Sequence, residues 1–394
     1  MQAVYKIVRE GRKKLIKIKE LGKFFVRLAS NVFRLAPLKK DKIFLMNFDG
    51  TIIGHDAKAI VDYCRKKGIA ADFVWGAKDE EYAARMKYPG VRFVALNSAR
   101  GWYDMLTAKT LIYNINPPSY LSFRKAQILV NTWHGFNYKA VGKYIDGFDK
   151  RQFNTTTCFL SDARLFTRDT IRDSFEYEGE VLECGTPRTD IFYSKNRDEA
   201  YRKVRRGLGL PDDVRLVLYT PTFRGDFMYR DSAMDSERLK KALEKRFGGR
   251  WEVLYKLHPM IAKKFKADEG GVIDVSSYED TQELACAADV LVTDYSSISW
   301  EFSLMRRPVF LYTDDIAEYD ASRTFSIPVE RWPFPIALDN DELEKNILAF
   351  DVKEYTGNIL AFQEEEGCLD LGHACEEALK YIAMHGGKLN RSIK

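Results

Sequence analysis

The chain has 394 residues, of which 45% are hydrophobic and 30% are charged, and this predicts a folded protein of two domains with a short extension. No apolar run approaches the roughly 20 residues that a spanning helix needs. The N-terminal apolar stretches are broken by Lys and Arg, as a signal peptide's are not. These features argue against a secreted or membrane-spanning protein and predict a cytoplasmic one.

The net charge of +5 is concentrated at the start of the chain. Residues 1–40 carry twelve Lys or Arg against two Glu, whereas the remainder carries 50 basic against 55 acidic residues. A basic segment of this kind has an anionic partner, either nucleic acid or a membrane surface. The six cysteines are scattered without a C-x-x-C pair, which predicts reduced thiols rather than a zinc site or disulfides.

The basic leader at residues 1–40 contains a predicted amphipathic helix. Apolar residues recur with helical spacing from Leu21 to Phe33, while cations occupy the other face. We interpret this leader as a helix lying in a membrane interface. The alternative is a helix docked on the protein's own core, and RNA binding is disfavoured because no RNA-binding module follows. The predicted membrane-binding residues are Lys13, Lys14, Lys17, Phe24, Phe25, Arg27, Leu28 and Phe33.

Residues 41–205 alternate short apolar runs with amphipathic stretches, which predicts βαβ units and a parallel sheet. The predicted strands are Ile43–Met46, Asp72–Trp75, Val91–Ala95, Thr110–Tyr113, Ile128–Thr132 and Val181–Cys184. The predicted helices are Ala57–Lys67, Trp102–Ala108 and Ala163–Ser174. We therefore predict a first α/β domain.

The same pattern restarts in the predicted second domain, residues 206–394. The charged stretch Tyr193–Asp213, which overlaps its start, is interpreted as the junction. The predicted strands are Arg215–Tyr219, Trp251–Lys256, Val290–Thr293 and Pro308–Tyr312, and the predicted helices are Met234–Phe247, Thr281–Ala287 and Ser297–Met305. Two facing sheets leave a cleft at the carboxyl ends of their strands, where open α/β sheets bind ligands.

Two histidines follow predicted strands at this cleft. His134 precedes Gly135 directly after one strand, and His258 precedes Pro259, which restricts it to an extended backbone. A lone histidine is more often structural than catalytic, and the contexts of His55, His373 and His385 indicate surface or structural positions.

Three further segments suit an anionic ligand. Thr293-Asp294-Tyr295-Ser296-Ser297 lies between a strand and a helix, where hydroxyls and free N–H groups suit a phosphate, although an ordinary Ser-capped helix has the same pattern. Arg224 and Arg188 follow strands and offer guanidinium groups, although a single Arg is commonly a surface residue. No Walker loop, dinucleotide fingerprint or metal-ligand cluster is found, so no cofactor is predicted.

Together these segments resemble the CDP-glycerol:poly(glycerophosphate) glycerophosphotransferase family. The family shows W-H-G, P-T-[WF]-R, H-P and T-D-Y-S-S segments followed by an acidic residue and K/R-P. All occur here in order, ending with Glu301 and Arg307-Pro308, and Gly185–Asp190 matches a G-x-P-R-x-D segment. The resemblance spans roughly residues 42 to 335.

The resemblance implies a GT-B-like fold of two facing Rossmann-like domains, with acceptor in the first domain and nucleotide in the second. It implies transfer of a polyol phosphate from a CDP-polyol to a hydroxyl on a polyprenyl-diphosphate-linked glycan at the cytoplasmic membrane surface, with release of CMP. His134 is then the candidate base, with His258 and Arg224 stabilising charge on the diphosphate. The implied catalytic residues are His134 and His258, and the implied substrate-binding residues are Gly135, Arg188, Arg224, Thr293, Asp294, Ser296, Ser297 and Glu301.

The sequence also departs from the family pattern. The family often continues W-H-G with T-P-L-K, whereas Phe136-Asn137-Tyr138 stands before Lys139 here. The acceptor or polyol pocket is therefore expected to differ. A GT-B glycosyltransferase that uses a UDP- or GDP-sugar and a non-enzymatic membrane-docked binding protein remain as alternatives.

Overall fold

The computed structural model describes residues 22–135, 140–193, 195–222, 233–257, 271–316, 318–319, 325 and 327–391. The strands of the N-terminal half are β1 (Lys39–Met46), β2 (Ile69–Ala70), β3 (Asp72–Ala77), β4 (Val91–Ala95), β5 (Ala108–Tyr113), β6 (Ile128–Asn131), β7 (Cys158–Ser161) and β8 (Glu180–Glu183). Its helices are α1 (residues 22–31), α2 (His55–Lys67), α3 (Glu80–Arg85) and α4 (Ala99–Thr107), with a π-helix at Phe166–Ser174.

The C-terminal half begins with α5 (Asn196–Leu208). Its strands are β9 (Val214–Thr220), β10 (Arg250–Tyr255), β11 (Val272–Asp274), β12 (Val290–Thr293), β13 (Val309–Tyr312) and β14 (Ile336–Ala337), followed at the end of the chain by β15 (Asn390–Arg391). The remaining helices are α6 (Ser236–Phe247), α7 (Thr281–Ala287), α8 (Ile298–Ser303), α9 (Asn340–Leu348), α10 (Val352–Glu366) and α11 (Ala374–Met384).

Two parallel sheets organise the described chain. The first has the order β4-β3-β1-β5-β6-β7-β8 and the second has the order β11-β10-β9-β12-β13-β14. The central strands are apolar on both faces because helices cover both sides of a parallel sheet, and every residue of β6, β12 and β13 is buried. The predicted pair of α/β domains is confirmed.

The strand orders locate the ligand crevices. In each sheet the order reverses direction beside its first strand, between β1 and β5 in the first sheet and between β9 and β12 in the second. Open α/β sheets bind ligands outside the carboxyl ends of the strands at this switch point. The chain segments that follow β1, β5, β9 and β12 are therefore the ones to inspect.

Helix α2 shows how the sequence builds the layer beside the first sheet. Ala57, Ile60, Val61 and Cys64 repeat with helical spacing and are buried against the sheet. The helix ends at Gly68, whose left-handed backbone (φ 63°) lets its N–H return to the last turn. The same helix begins at His55 and Asp56, so its first turn lies near the carboxyl end of β1, beside the switch point.

Two predictions about the chain path were incomplete. The stretch interpreted as a junction is largely helix α5, which packs against α7 of the second domain. The end of the chain returns to the first sheet, because α11 packs among buried residues of β1 and α2 and β15 pairs with β2. The described contacts therefore place residues 374–391 with the N-terminal sheet, although the predicted division had assigned them to the second domain.

Helix α1 is docked by one face and leaves an apolar face open. Arg27 donates hydrogen bonds to the carbonyls of Ser119 (2.9 Å) and Tyr120 (3.2 Å). Phe33, just after the helix, packs edge-to-face on Tyr103 with ring centroids 5.8 Å apart. Arg27 and Phe33 thus belong to the docking side rather than to the open face. No helix in the described ranges combines the length and apolarity that crossing a bilayer requires.

Candidate active site

His134 lies at the cleft, three residues after β6, and its tautomer is set by a backbone carbonyl. The ring Nδ1 is 3.0 Å from the carbonyl oxygen of Asn114, which follows β5 at the switch point. A carbonyl only accepts hydrogen bonds, so Nδ1 carries the proton and Nε2 is the unprotonated nitrogen. Burial lowers the pKa of His134, against the opposing effect of the Asn114 hydrogen bond, and the charge of Arg188 lowers it further. The imidazole is therefore neutral near pH 7.

Aromatic rings hold the His134 imidazole from two sides. The Trp133 ring centroid lies 4.2 Å from that of His134, and the Phe48 centroid lies 5.8 Å away. The Phe48 ring also contacts His55, with centroids 4.9 Å apart. These contacts fix the ring plane of His134 in the cleft.

The backbone around His134 is strained. Phe48, Asp49, His55 and Trp133 all have positive φ values, between 44° and 53°. Non-glycine residues rarely adopt this conformation, and it concentrates at functional sites. The sequence interpretation missed Phe48 and His55, although the exit of the strand next to the switch point was the signal that could have found them.

Gly135 brings the two domains into contact. Its φ of 137° disfavours any residue with a side chain, and a Cβ placed on it would lie 2.5 Å from Ser297 Oγ. Ser297 lies directly before α8 and makes no side-chain capping bond, so the predicted Ser cap is not formed by this residue. The loop bearing His134 and the start of α8 therefore meet at a glycine.

Thr293 and Asp294 have structural partners at the second switch point. Thr293 Oγ1 donates to the carbonyl of Thr220 (2.6 Å), and Asp294 accepts from the backbone N–H (3.0 Å) and hydroxyl (2.8 Å) of Thr222. Both side chains are buried, whereas Ser296 and Ser297 are partly exposed. Thr293 and Asp294 thus shape the predicted phosphate site by joining the exits of β9 and β12.

The Asp294 bonds predict a stability effect. Asp294→Ala is expected to lower the free energy of unfolding by about 1–3 kcal/mol, because the half-buried N–H and hydroxyl of Thr222 lose this carboxylate as an acceptor. Urea unfolding at pH 7 measures this. The control Asp213→Ala, at an exposed residue, should change stability by less than ~0.5 kcal/mol. An Asp294→Ala curve that overlays the wild type would contradict the assigned bonds.

Arg188 and Glu301 bind each other rather than facing the cleft. Arg188 Nε is 3.0 Å from Glu301 Oε1, and Arg188 Nη1 is 2.8 Å from Asp56 Oδ2. The Arg188 side chain is only 3% exposed. Burial alone would lower the pKa of Arg188, but the neighbouring carboxylates raise it, so the group stays charged. Arg188 and Glu301, both predicted to bind substrate, are thus engaged with each other and with Asp56 in this structure.

His258 and Arg224 lie outside the described residues, as do Lys13, Lys14 and Lys17. The strands that precede His258 and Arg224 are β10 and β9 respectively, and β9 lies between β10 and β12 in the second sheet. On the leader, Phe24, Phe25 and Leu28 are 58–59% exposed on the open face of α1. Among the described residues no group of three or more His, Cys, Asp or Glu is arranged to hold a metal ion.

Comparison with protein families gives one match over most of the chain. The family model for CDP-Glycerol:Poly(glycerophosphate) glycerophosphotransferase matches residues 28–382. The chain is 25% identical over 379 residues to the teichoic acid poly(glycerol phosphate) polymerase of Bacillus subtilis, covering 88% of this chain and 50% of that protein. This chain thus spans about half the length of that polymerase. It is 26% identical over 369 residues to the teichoic acid glycerol-phosphate transferase of Staphylococcus aureus, covering 87% of this chain and 93% of that protein.

Solved structures identify the fold. The wall teichoic acid polymerase TagF superposes with a TM-score of 0.79 at 26% identity, covering 96% of this chain and 98% of that one. A TagF variant soaked with CDPG superposes equally well, with a TM-score of 0.79 at 25% identity and the same coverage. The predicted GT-B-like fold is thereby confirmed.

Proposed function

The chain belongs to the CDP-glycerol:poly(glycerophosphate) glycerophosphotransferase family, and from this premise we propose that it transfers a polyol phosphate from a CDP-polyol to a hydroxyl of a lipid-linked glycan, releasing CMP. The donor we favour is CDP-glycerol, because both relatives named above act on glycerol phosphate and TagF was soaked with CDPG. The product is a teichoic acid or a capsule polymer. The observation that carries the proposal is the unprotonated Nε2 of His134, held at a cleft between two switch points.

The transfer step requires a base and an electrophilic phosphorus. The acceptor hydroxyl oxygen attacks the phosphorus that bears the polyol, and its proton passes to His134 Nε2. The bond between that phosphorus and the bridging oxygen breaks, and the electron pair leaves with the phosphate of CMP. A neutral imidazole suits this role, because it takes up the proton as the new P–O bond forms.

The second domain is the proposed donor site. Ser297 lies beside Gly135 and Ser296 is likewise partly exposed, and both are proposed to donate hydroxyl hydrogen bonds to the diphosphate. His258 and Arg224 are proposed to stabilise the charge that develops on the leaving phosphate. No metal or organic cofactor takes part in the proposed step.

The lowered pKa of His134 predicts the pH dependence of the reaction. The base must be unprotonated in the free enzyme, so kcat/KM falls only as pH drops through the His134 pKa. Because that pKa lies below the ordinary value of 6.5, the acid limb is expected to have its midpoint below pH 6.5. Initial rates of CMP release between pH 5 and 8 measure this. A midpoint above pH 7 would contradict a buried, neutral His134 as the base.

The acceptor is proposed to reach the cleft at the inner face of the cell membrane, where the enzyme binds peripherally. Phe24, Phe25 and Leu28 lie exposed on one face of α1, and the chain before them is rich in Lys and Arg. Exposed aromatic and aliphatic bulk beside cations suits an anionic lipid interface. Nucleic acid is not a proposed partner.

This proposal predicts a large effect on lipid binding. Changing Phe24, Phe25 and Leu28 together to Ala is expected to lower the partition coefficient onto phosphatidylglycerol vesicles by at least ~10²-fold, since each buried side chain contributes about 1.5–3 kcal/mol. Co-sedimentation measures the coefficient. The control changes Leu360, Leu371 and Met384 to Ala; these side chains are 47–75% exposed on other elements, and binding should be retained. Equal binding by both triple variants would reject α1 as the membrane contact.

The function is tested by the nucleotide that is released. The protein is incubated with CDP-glycerol, CDP-ribitol or a panel of UDP- and GDP-sugars, each with and without a lipid-linked disaccharide acceptor. Acceptor-dependent CMP supports the proposal, and the preferred CDP donor identifies the polyol. Release of UDP or GDP in place of CMP would favour a glycosyltransferase of the same fold.

A further inference from the structure

Arg188 lies between the two halves of the proposed active site and contacts both. It follows β8 in a 3₁₀ turn at Pro187–Tyr193, which also contacts α2 and α7. We propose that Arg188 is a positioning residue that locks the His134 loop of the first domain onto the start of α8 in the second. The inference rests on the proposed phosphotransferase function and assigns Arg188 a role in it that involves no contact with substrate.

On the side of the first domain, Arg188 reaches the base through Asp56. The Asp56 carboxylate accepts from Arg188 Nη1 (2.8 Å) and from the Arg188 backbone N–H (3.1 Å). His55 directly precedes Asp56, and its ring contacts that of Phe48 (centroids 4.9 Å apart), which in turn contacts the His134 ring (5.8 Å). Asp56 therefore joins Arg188 to the first turn of α2, where His55 packs on the Phe48 ring beside His134.

On the side of the second domain, Arg188 reaches α8 through Glu301. Arg188 Nε donates to Glu301 Oε1 (3.0 Å), and Gln282 on α7 donates to the other oxygen, Glu301 Oε2 (2.8 Å). Glu301 lies one turn after Ser297, whose hydroxyl faces Gly135. A shift of Arg188 would therefore change the separation between the base and the serine hydroxyls.

The charges around Arg188 fit this role. The charges of Asp56, Glu301 and Asp162 raise the pKa of the Arg188 guanidinium. The charge of Arg188 in turn acts to lower the pKa of Asp370. Of the charged or titratable groups nearby, Asp49 adjoins Phe48, whose ring contacts both His134 and His55, and Asp56 and Glu301 bind Arg188. Arg188 is the cation whose charge disfavours protonation of His134.

A second ion-pair group provides a matched control for an effect that comes only from holding the two domains together. Lys58 on α2 of the first domain binds Asp280 (2.9 Å) and Glu283 (3.2 Å) of the second domain. This ion-pair group joins the same two domains, yet none of its members contacts His134, Gly135 or Ser297 in the described contacts. If Arg188 only held the domains together, Arg188 and Lys58 variants would behave alike.

The experiment measures kcat, KM for CDP-glycerol and the pH profile of CMP release for wild type, Arg188→Lys, Arg188→Gln and Lys58→Met, with melting temperatures for each. Arg188→Gln is expected to lower kcat by ~10²-fold with little change in KM, since a displaced catalytic group costs about that much. Its acid limb should move to higher pH by roughly half a unit or more, because a nearby positive charge is lost. Arg188→Lys keeps the charge but not the forked geometry, so it should lose rate and retain the wild-type profile.

Glu301→Gln serves where Arg188→Gln fails to fold. Its amide oxygen still accepts from Arg188, and the Gln282 amide can turn to accept from the new N–H₂ group. The loss of a negative charge should lower kcat by about 10-fold and move the acid limb to lower pH, opposite to Arg188→Gln. If the folded Arg188 and Glu301 variants keep the wild-type pH profile and have rates like that of Lys58→Met, the role of Arg188 is overturned, whereas the proposed function is not. A wild type that releases no CMP would overturn the proposed function, and the inference with it.

Discussion

Replacing His134 by alanine is expected to lower the rate of acceptor-dependent CMP release by ~10²–10⁴-fold, the usual contribution of a general base. The Nδ1 proton of His134 is committed to the Asn114 carbonyl, so Nε2 is available to take the acceptor proton. Alanine removes this nitrogen and leaves the hydroxyl without a base. The measurement is the initial rate of CMP release at pH 7.5 with saturating CDP-glycerol and acceptor.

A control histidine separates loss of the base from general damage. His385→Ala removes a partly exposed imidazole at the end of α11, and its rate should equal that of the wild type. His134→Ala should also retain the wild-type melting temperature to within a few degrees. A folded His134→Ala protein with more than a tenth of the wild-type rate would assign the proton transfer to another group, with His258 the next candidate.

Introducing a single methyl group at Gly135 is expected to lower kcat by ~10²-fold, because a displacement of about 1 Å at a reacting group has effects of this size. The added Cβ would lie 2.5 Å from Ser297 Oγ, and the φ of 137° would also have to change. Rotation of the hydroxyl relieves only this first contact, because the added Cβ would also lie 3.0 Å from Ser297 Cβ, so the His134 loop and α8 have to move apart. Steady-state kinetics of Gly135→Ala measure the effect.

Gly147 provides the matched control for the backbone contribution. It also has a positive φ, 80°, but a Cβ on Gly147 would meet no atom within 4 Å. Gly147→Ala therefore carries backbone strain without the contact to Ser297, and its kcat should stay within about threefold of the wild type. Equal losses in the two variants would show that backbone strain, rather than the contact between domains, explains the Gly135 effect.

The sheets and the location of the cleft were predictable from local sequence. Apolar runs such as Val290–Thr293 are buried on both faces of a parallel sheet, so each run reports a strand directly. The residues that follow them, including His134 and Ser297, were found because carboxyl ends of strands gather at one edge of a sheet. Thr293 and Asp294 were found by the same reasoning, but their hydrogen bonds to Thr220 and Thr222 depend on which strands are neighbours.

Long-range partners were not predictable from one sequence. Arg188 lies 132 residues from Asp56 and 113 from Glu301, and no local pattern marks two carboxylates as its ligands. An isolated Arg after a strand is therefore easily interpreted as a substrate contact. The return of α11 to the first sheet escaped prediction for a similar reason, since an amphipathic helix does not reveal which sheet it covers.

The strained residues were missed for a physical reason as well. Phe48 and His55 have no unusual sequence context, and their left-handed backbone is imposed by packing around the β1 exit. Phe48 also depends on its N–H donating to the Asn114 side chain (2.9 Å), a contact between separate strand exits. Such conformations arise only when the surrounding fold determines them.

The central claim is that phosphorus, not carbon, is transferred, and following a label on the polyol-proximal phosphate of CDP-glycerol tests it most directly. The labelled donor is incubated with the protein and a lipid-linked disaccharide, and the lipid and nucleotide fractions are separated. We predict that the label moves into the lipid fraction in proportion to unlabelled CMP, and that His134→Ala abolishes the transfer. Label retained in CDP while unlabelled glycerol reaches the lipid would show cleavage of a carbon–oxygen bond and contradict the proposed phosphotransfer.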